Sequence, residues 1–459
     1  MNHLLFLTMM LLQALPGARA QQDSHQTRPD SLKRPPVLPT ETAAATPREP
    51  GQEHVFSVGA SMWSRGEFRD GALPAENGSD RAMFIMSNTV LRFDYAQKNL
   101  EARVAPKFFG VWGAKAAGSM AIDEAWFGLR HKGLFLRLGR QKIAYDDERI
   151  IGSNDWSMAA NTHDLVKTGF EGGGHKVHLL VAYNQNNENL NGGTYYVNGG
   201  QAYKNMQTLW YHWDPLPQLG ASLIFMNMGM QSAADAEEEK FRTEYQQIFG
   251  AYADWHPKGF SLQASYYRQT GRDEYEIPIH AWMTSVEAKG KPMEKLRLGA
   301  GYFYMSGDEH FFVPPQGAFG LTRKTEVRGF HPMFGSHHQF YGAMDFFYVT
   351  TYYGGNTPGL QDLHAGVDWM PVKGLNLSAE YHFLATSVPI ENATTQALGH
   401  ELELEGSWKI LPNVSLMAGY SFMKGTETMN VLKRTSEDKR LHWAWLMLVV
   451  TPDFFTRHW

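Results

Sequence analysis

The chain has 459 residues, a formal net charge of −5, 13% aromatic residues and no cysteine. Without cysteine there is no disulfide scaffold, no thiolate chemistry and no lipid-modified N-terminal cysteine, and the mildly acidic balance argues against general nucleic-acid binding. The length would allow two soluble domains, but 3.6-residue periodicity is almost absent beyond the first twenty residues and no apolar run reaches the length of a membrane-spanning helix.

Residues 1–20 read as a cleaved export signal. Leu4 to Leu15 is apolar but for one Gln, then come Pro16 and Gly17, and Ala18-Arg19-Ala20 has the small-x-small form of a cleavage site. The preceding Met1-Asn2-His3 lacks the usual basic residue. Residues 21–53 are polar and proline-rich, with no periodicity, and are expected to form a disordered periplasmic leader.

From residue 54 to 459 short segments alternate polar and apolar residues with period two. In chain order the expected strands are 54–70, 82–96, 99–113, 120–131, 133–144, 164–171, 175–185, 203–213, 219–228, 244–255, 259–271, 280–289, 295–306, 361–370, 374–384, 399–410, 413–424 and 441–452. Their connections alternate in length. Tight turns such as Ala96–Asn99, His131–Gly133, Gly172–His175, Asp214–Pro217 and His256–Gly259 alternate with long polar stretches, the longest over 307–360. Short turns at one end and long loops at the other are the pattern of an all-β transmembrane antiparallel barrel, about eighteen strands in size. The count is even, so both chain ends lie on one side; if the short segment 164–171 is not a strand, the expected count is sixteen.

The faces divide cleanly. Phe56, Val58, Ala60 and Met62 share one side of the first strand, and Arg65, Glu67 and Arg69 lie on the other; Leu402 and Leu404 alternate with Glu401, Glu403 and Glu405. In a soluble sandwich the apolar side would face inward, whereas in a membrane barrel it faces lipid and the charged side faces a lumen. The export signal, the turn asymmetry and the Tyr, Trp and Phe residues at strand ends favour the membrane. The aromatic end at Trp459 resembles the signal read by the barrel-assembly machinery.

Two segments resemble the alginate-export family of outer-membrane porins, in particular its Bacteroidetes-type members. The first is Leu138-Gly-Arg-Gln-Lys-Ile-Ala-Tyr-Asp-Asp-Glu-Arg-Ile-Ile-Gly-Ser-Asn-Asp-Trp156, and the second is Phe330-His-Pro-Met-Phe-Gly-Ser-His-His-Gln-Phe-Tyr-Gly-Ala-Met-Asp-Phe346 followed by Gly359-Leu-Gln-Asp362. The resemblance spans about 55–459. It implies eighteen strands and passive export of an anionic polysaccharide through an Arg-lined lumen, with Gly139, Arg140, Gln141, Asp147, Arg149 and Asp155 at motif positions.

The inward register of the first five strands carries Arg65, Arg69, Arg92, Arg103, Lys107, Arg130 and Arg137, against Glu67, Asp94, Glu101 and Glu124. An excess of basic rings favours anions, yet Glu380, Glu401, Glu403 and Glu405 line the opposite sector. The expected lumen is therefore split. Strict alternation from Leu134, Leu136 and Leu138 places Arg140 and Lys142 outward; either Gly139 marks a bulge that flips the register, or both residues lie above the hydrocarbon band. Either Arg140 pairs with Asp146, Asp147 or Glu148 to hold its loop at the mouth, or these groups form a solvated cluster.

The aromatics of 307–360, among them Phe311, Phe312, Phe319, Phe330, Phe334, Phe340, Phe346, Phe347 and Tyr348, imply a packed subdomain that either enters the barrel or caps it. His331, His337 and His338 are read as polar loop residues, and no metal site, cofactor or catalytic residue is expected, since no G-x-S-x-G, H-E-x-x-H or metal-spaced cluster occurs. The expected function is a porin-type channel in the outer membrane of a Gram-negative bacterium, passing polar or charged solutes by diffusion. A dedicated exporter of an anionic polysaccharide such as alginate is the first alternative, and a loop-based adhesin or receptor the second. Expected partners are outer-membrane lipids and lipopolysaccharide, the assembly machinery, and the solute or polysaccharide; nucleic acid is not among them.

Overall fold

The structure, a computed structural model, describes residues 54–71, 81–114, 118–158, 161–185, 203–232, 242–309, 311, 313, 325–347, 356–434 and 440–459. The expected signal and leader, and Phe312, Phe319 and Tyr348 of the long loop, lie outside the described residues.

The strands are β1 His54–Asp70, β2 Arg81–Gln97, β3 Leu100–Val111, β4 Ser119–His131, β5 Leu134–Gln141 and β6 His163–Gly172. They continue with β7 His175–Tyr183, β8 Asn205–Leu216, β9 Leu219–Gln231, β10 Thr243–Trp255, β11 Phe260–Gly271 and β12 Ala281–Met293. The last are β13 Leu296–Met305, β14 Leu360–Trp369, β15 Leu375–Ala385, β16 Ala397–Leu411, β17 Val414–Gly425, β18 Arg440–Val450 and β19 Asp453–His458. A short helix, α1 (Glu427–Lys433), sits in the last long loop, where the Thr426 side chain accepts from the Met429 N–H at 3.3 Å and caps it. Among the described residues no helix is long and apolar enough to cross a membrane.

Consecutive strands from β1 to β18 pair antiparallel, and β1 pairs with β2 on one side and with β18 and β19 on the other, closing the sheet. β18 and β19 are one pass interrupted at Thr451-Pro452. The Pro452 carbonyl still accepts the Ala60 N–H at 2.9 Å. The barrel thus has eighteen passes, and the segment over 164–171 is a full member as β6. Closure leaves no open edge to expose unpaired backbone groups to lipid. At the seam the His54 N–H donates to the Trp459 carbonyl at 3.0 Å, and their rings stack at 5.3 Å.

The faces are inverted relative to a soluble protein. Leu134, Leu136 and Leu138 are exposed while Phe135 between them is buried. On β16, Leu402 and Leu404 are exposed whereas Glu401 and Glu403 are buried. Trp213, Trp255, Trp369, Trp408 and Trp459, all exposed and all at the short-turn end, form the interfacial girdle expected of a membrane barrel.

One bulge resets a register. Pro106 on β3 has no N–H to give the ladder, and opposite it β4 inserts an extra residue: Ala105 pairs with Glu124 and Pro106 with Ile122. Asp123 and Glu124 both turn inward, 3% and 2% exposed, and the outward set shifts from Phe127 and Leu129 to Ile122 and Met120.

The buried apolar core is inside the barrel, built mainly from loops. The β5–β6 connection and the described part of the β13–β14 connection run into the lumen and pack Ile143, Ile150, Ile151, Phe330, Phe334, Tyr341, Met344, Phe346 and Phe347 against inward strand residues such as Leu165, Met206 and Trp443. The described part of the long loop inserts into the barrel, one of the two expectations for it.

Candidate functional site in the barrel lumen

The two motif segments meet each other inside the barrel. Ile151 and Phe334 form a parallel bridge, with the Gly152 N–H donating to the Phe334 carbonyl at 2.8 Å and the Phe334 N–H to that of Ile150 at 3.1 Å. Asn161 donates to the carbonyls of both Gly152 and Phe334 at 3.1 Å, and Ser336 Oγ donates to Glu148 Oε2 at 2.7 Å. This joint then spans the lumen. Phe334 meets His163 and Tyr203 edge-on at 5.2 and 5.6 Å. On the other side the backbone N–H of Ala343 donates to Glu403 at 2.6 Å and that of Met344 to Glu401 at 2.8 Å.

Arg149 is the hub of the joint. Its guanidinium lies 3.9 Å from the centre of the Phe340 ring and donates to Asp147 Oδ2 at 2.8 Å. Burial pushes the Asp147 carboxyl up, even with Arg149 beside it; the Arg149 guanidinium, in spite of burial, is held above its ordinary value by Asp147. Trp156 stacks on His338 at 4.2 Å, and the Arg65 guanidinium lies over the Trp156 ring at 3.9 Å from its centre. His331 and His337 are both held down to about 4 by burial and so are neutral at ordinary pH.

The basic residues of the first strands do face inward, but interleaved carboxylates meet them. Glu67 accepts from Arg65 at 2.8 Å and from Arg69 at 2.9 Å; Arg103 binds Asp94 at 2.6 Å and Glu124 at 3.0 Å. Lys107 lies 3.4 Å from Asp123, Arg137 3.1 Å from Glu101 and Arg130 2.9 Å from Glu171. Arg92 sits half-buried opposite Gly59. On the opposite wall Glu380 and Glu405, with Glu403, line a small cavity that is partly open to solvent and is shared with Glu287, Lys289, Arg297, His364 and Asp368.

Two expectations are corrected. Lys142 is not outward: β5 ends at Gln141, so the chain turns in and its ammonium reaches Asp123 at 2.7 Å and Asp155 at 3.5 Å. Burial would lower that ammonium, but Asp123 and Asp155 hold it above its ordinary value. Burial raises the Asp155 carboxyl to about 6, Lys142 drawing it down and Asp123 pushing it further up. Arg140 does stay on the outward register, at the long-loop end, but it does not pair with Asp146, Asp147 or Glu148. It makes a two-pronged pair with Asp164 at 2.9 and 2.7 Å on the outer wall. Gly139 has φ +124° without shifting the β4–β5 pairing, and a side chain there would strike the Ala125 carbonyl.

Sequence reasoning missed Asp123, because strict alternation put it outward; Pro106 within a strand was the available sign of a bulge. It also missed the grouping of Asp362, His364 and His382. His364 and His382 are directly opposite on β14 and β15, a proximity that only the pairing register reveals.

The family described as alginate export matches residues 56–430. No curated protein matches the chain. Among solved structures, Pseudomonas aeruginosa OccK9 (OpdG) is similar with a TM-score of 0.58 at 12% identity, over 87% of this chain and 98% of that one. Pseudomonas aeruginosa OprD gives 0.56 at 11% identity, over 87% and 96%, and OpdQ of the same organism 0.54 at 13%, over 87% and 98%. The chain therefore belongs to the alginate export family, and its closed eighteen-pass barrel matches those of OprD-type outer-membrane porins.

Proposed function

We propose that the chain is a porin-type channel of the Gram-negative outer membrane, through which polar or charged solutes diffuse passively past a constriction made by the two joined loops. The observation that carries this reading is the inverted barrel itself: eighteen passes with apolar outer faces and a charged inner face, entered by loops anchored on both walls. Residues 1–20 then serve as the export signal and 21–53 as a periplasmic leader, with the assembly machinery, lipopolysaccharide and lipid as partners of the barrel. Arg69, Arg92, Arg130 and Arg137 line one side of the path and Glu380 and Glu405 the other, while Arg65, Arg103, Lys107, Glu401 and Glu403, expected on the path, are buried in ion pairs or against the inserted loop. The reading includes no catalytic step.

Reconstitution in a planar bilayer across a salt gradient tests it. Stable open steps with weak ion selectivity are expected; a folded barrel that never conducts would overturn the channel reading. Family membership favours one second reading, export of an anionic polysaccharide. That reading requires clear anion preference and block of the current by added oligo-alginate.

A further inference from the structure

Asp362, His364 and His382 stand on the inward face of β14 and β15, all buried, each offering a ligand atom within 4.8 Å of the others. His382 uses both ring nitrogens. Nδ1 lies 2.9 Å from Asp362 Oδ1, and Nε2 lies 3.2 Å from Glu403 and 3.7 Å from Glu380. His364 Nδ1 lies 3.3 Å from Asp362 Oδ2, yet makes no hydrogen bond of acceptable geometry. A buried imidazole nitrogen is thus aimed at a carboxylate without being satisfied by it. Room for this ring is made by Gly301 across β13, where any side chain would collide with His364 Nε2.

We propose that these three residues form a binding site for a divalent transition-metal ion of the zinc type. Two imidazoles and a carboxylate are the donor set such ions take, and bonds of about 2.0–2.2 Å place neighbouring tetrahedral ligands roughly 3.3 Å apart. Two of the donor pairs already stand at 2.9 and 3.3 Å. Glu403 supplies the outer partner. By accepting from Nε2 it turns Nδ1 of His382 toward the ion, the carboxylate–imidazole–metal arrangement that fixes a ligand's tautomer and orientation. His364, Glu380 and Glu403 are on the wall of the adjoining cavity, which gives the ion an entry path and leaves its fourth position to water. Hard ions such as Mg²⁺ prefer six oxygens and are poorly matched. The site is set in the wall and does not depend on whether the barrel conducts.

The test is calorimetric titration of ZnCl₂ into the purified, tag-free, chelator-treated chain in detergent, with Co²⁺ visible absorption as a report on coordination. His364→Gln and Glu403→Gln are compared, each first shown to be folded by its gel mobility before and after boiling. A single tight Zn²⁺ is expected, not displaced by excess Mg²⁺, weakened at least about tenfold by His364→Gln and about tenfold by Glu403→Gln. Absence of binding, unchanged binding in folded His364→Gln, or equal competition by Mg²⁺ would each overturn the proposal.

Discussion

Phe334→Ala probes whether the joined loops set the width of the path. The ring is 6% exposed and is gripped between His163 and Tyr203. Removing it forfeits roughly 150 Å² of buried apolar surface, about 4 kcal/mol at ~25 cal/mol per Å², and the two edge-on contacts add about 0.5–1.5 kcal/mol each. Partial collapse of the cavity brings the net to about 3–5 kcal/mol. That loss falls on docking of the loops and not on the barrel, whose ladders do not involve Phe334. At ~1.4 kcal/mol per decade the undocked population rises roughly a hundredfold or more. Amide exchange should quicken over 325–347 and 146–156 while strand amides stay protected, and single-channel conductance should rise. Undocking by exchange with unchanged conductance would refute the claim that these loops form the constriction.

Arg103→Ala takes away the buried guanidinium that Asp94 and Glu124 share and should lower stability by about 3–5 kcal/mol, read as a fall in the temperature at which the barrel loses its folded gel mobility; Arg103→Met with Glu124→Met should restore part of it. Arg140→Ala, on the outer wall and half-exposed, should cost no more than ~1 kcal/mol and leave conductance unchanged, although Arg140 belongs to a family motif; altered conductance would show that the pair governs the mouth. Acidification should release the loop joint. His331 and His337 titrate near 4 when folded and near 6.5 when unfolded, so their stabilisation is complete above about pH 6.5 and is lost as pH falls toward 4. The loss is roughly 1–3 kcal/mol per imidazole after allowing for partial exposure, and the His331→Asn/His337→Asn variant should show a flatter acid limb in amide exchange of 325–347.

Period-two alternation located the passes because lipid and lumen impose opposite chemistry on successive residues, and nothing softens that contrast along a strand such as β16. Where alternation failed, a local backbone event had intervened. Pro106 forced the bulge that brought Asp123 inward, and the end of β5 at Gln141 freed Lys142 to turn in. β19 went unread because Pro452 interrupts the last pass with a residue that normally ends a strand, whereas here the carbonyl alone keeps the pairing. The joint between 138–156 and 330–346 was not legible at all. It rests on a bridge between residues 183 positions apart, Ile151 and Phe334, and no spacing within either segment encodes its partner. The aromatic content of the long loop showed only that it packs, not on what.

The same geometry bears on what the lumen can select. A column of arginines alone would attract a polyanion, but Glu67, Asp94, Glu101, Asp123 and Glu124 answer Arg65, Arg69, Arg103, Lys107 and Arg137 at 2.6–3.4 Å. A passing carboxylate must compete with partners already desolvated and held in place by the sheet, and breaking such a buried pair exposes the abandoned carboxylate to an uncompensated site. The wall therefore presents alternating dipoles more than a positive surface, which suits short-lived contact with polar solutes better than retention of a polyanion. Neutralising one side of a pair converts that argument into a measurement. Glu101→Gln removes the negative charge 3.1 Å from Arg137, whose guanidinium lies 3.8 Å from the centre of the Trp126 ring and remains anchored there, so the reversal potential should move toward anion preference without loss of the folded barrel. If it does not move, Arg137 is off the path of the ions, and the charged wall of the first strands holds the barrel together without steering what passes through it.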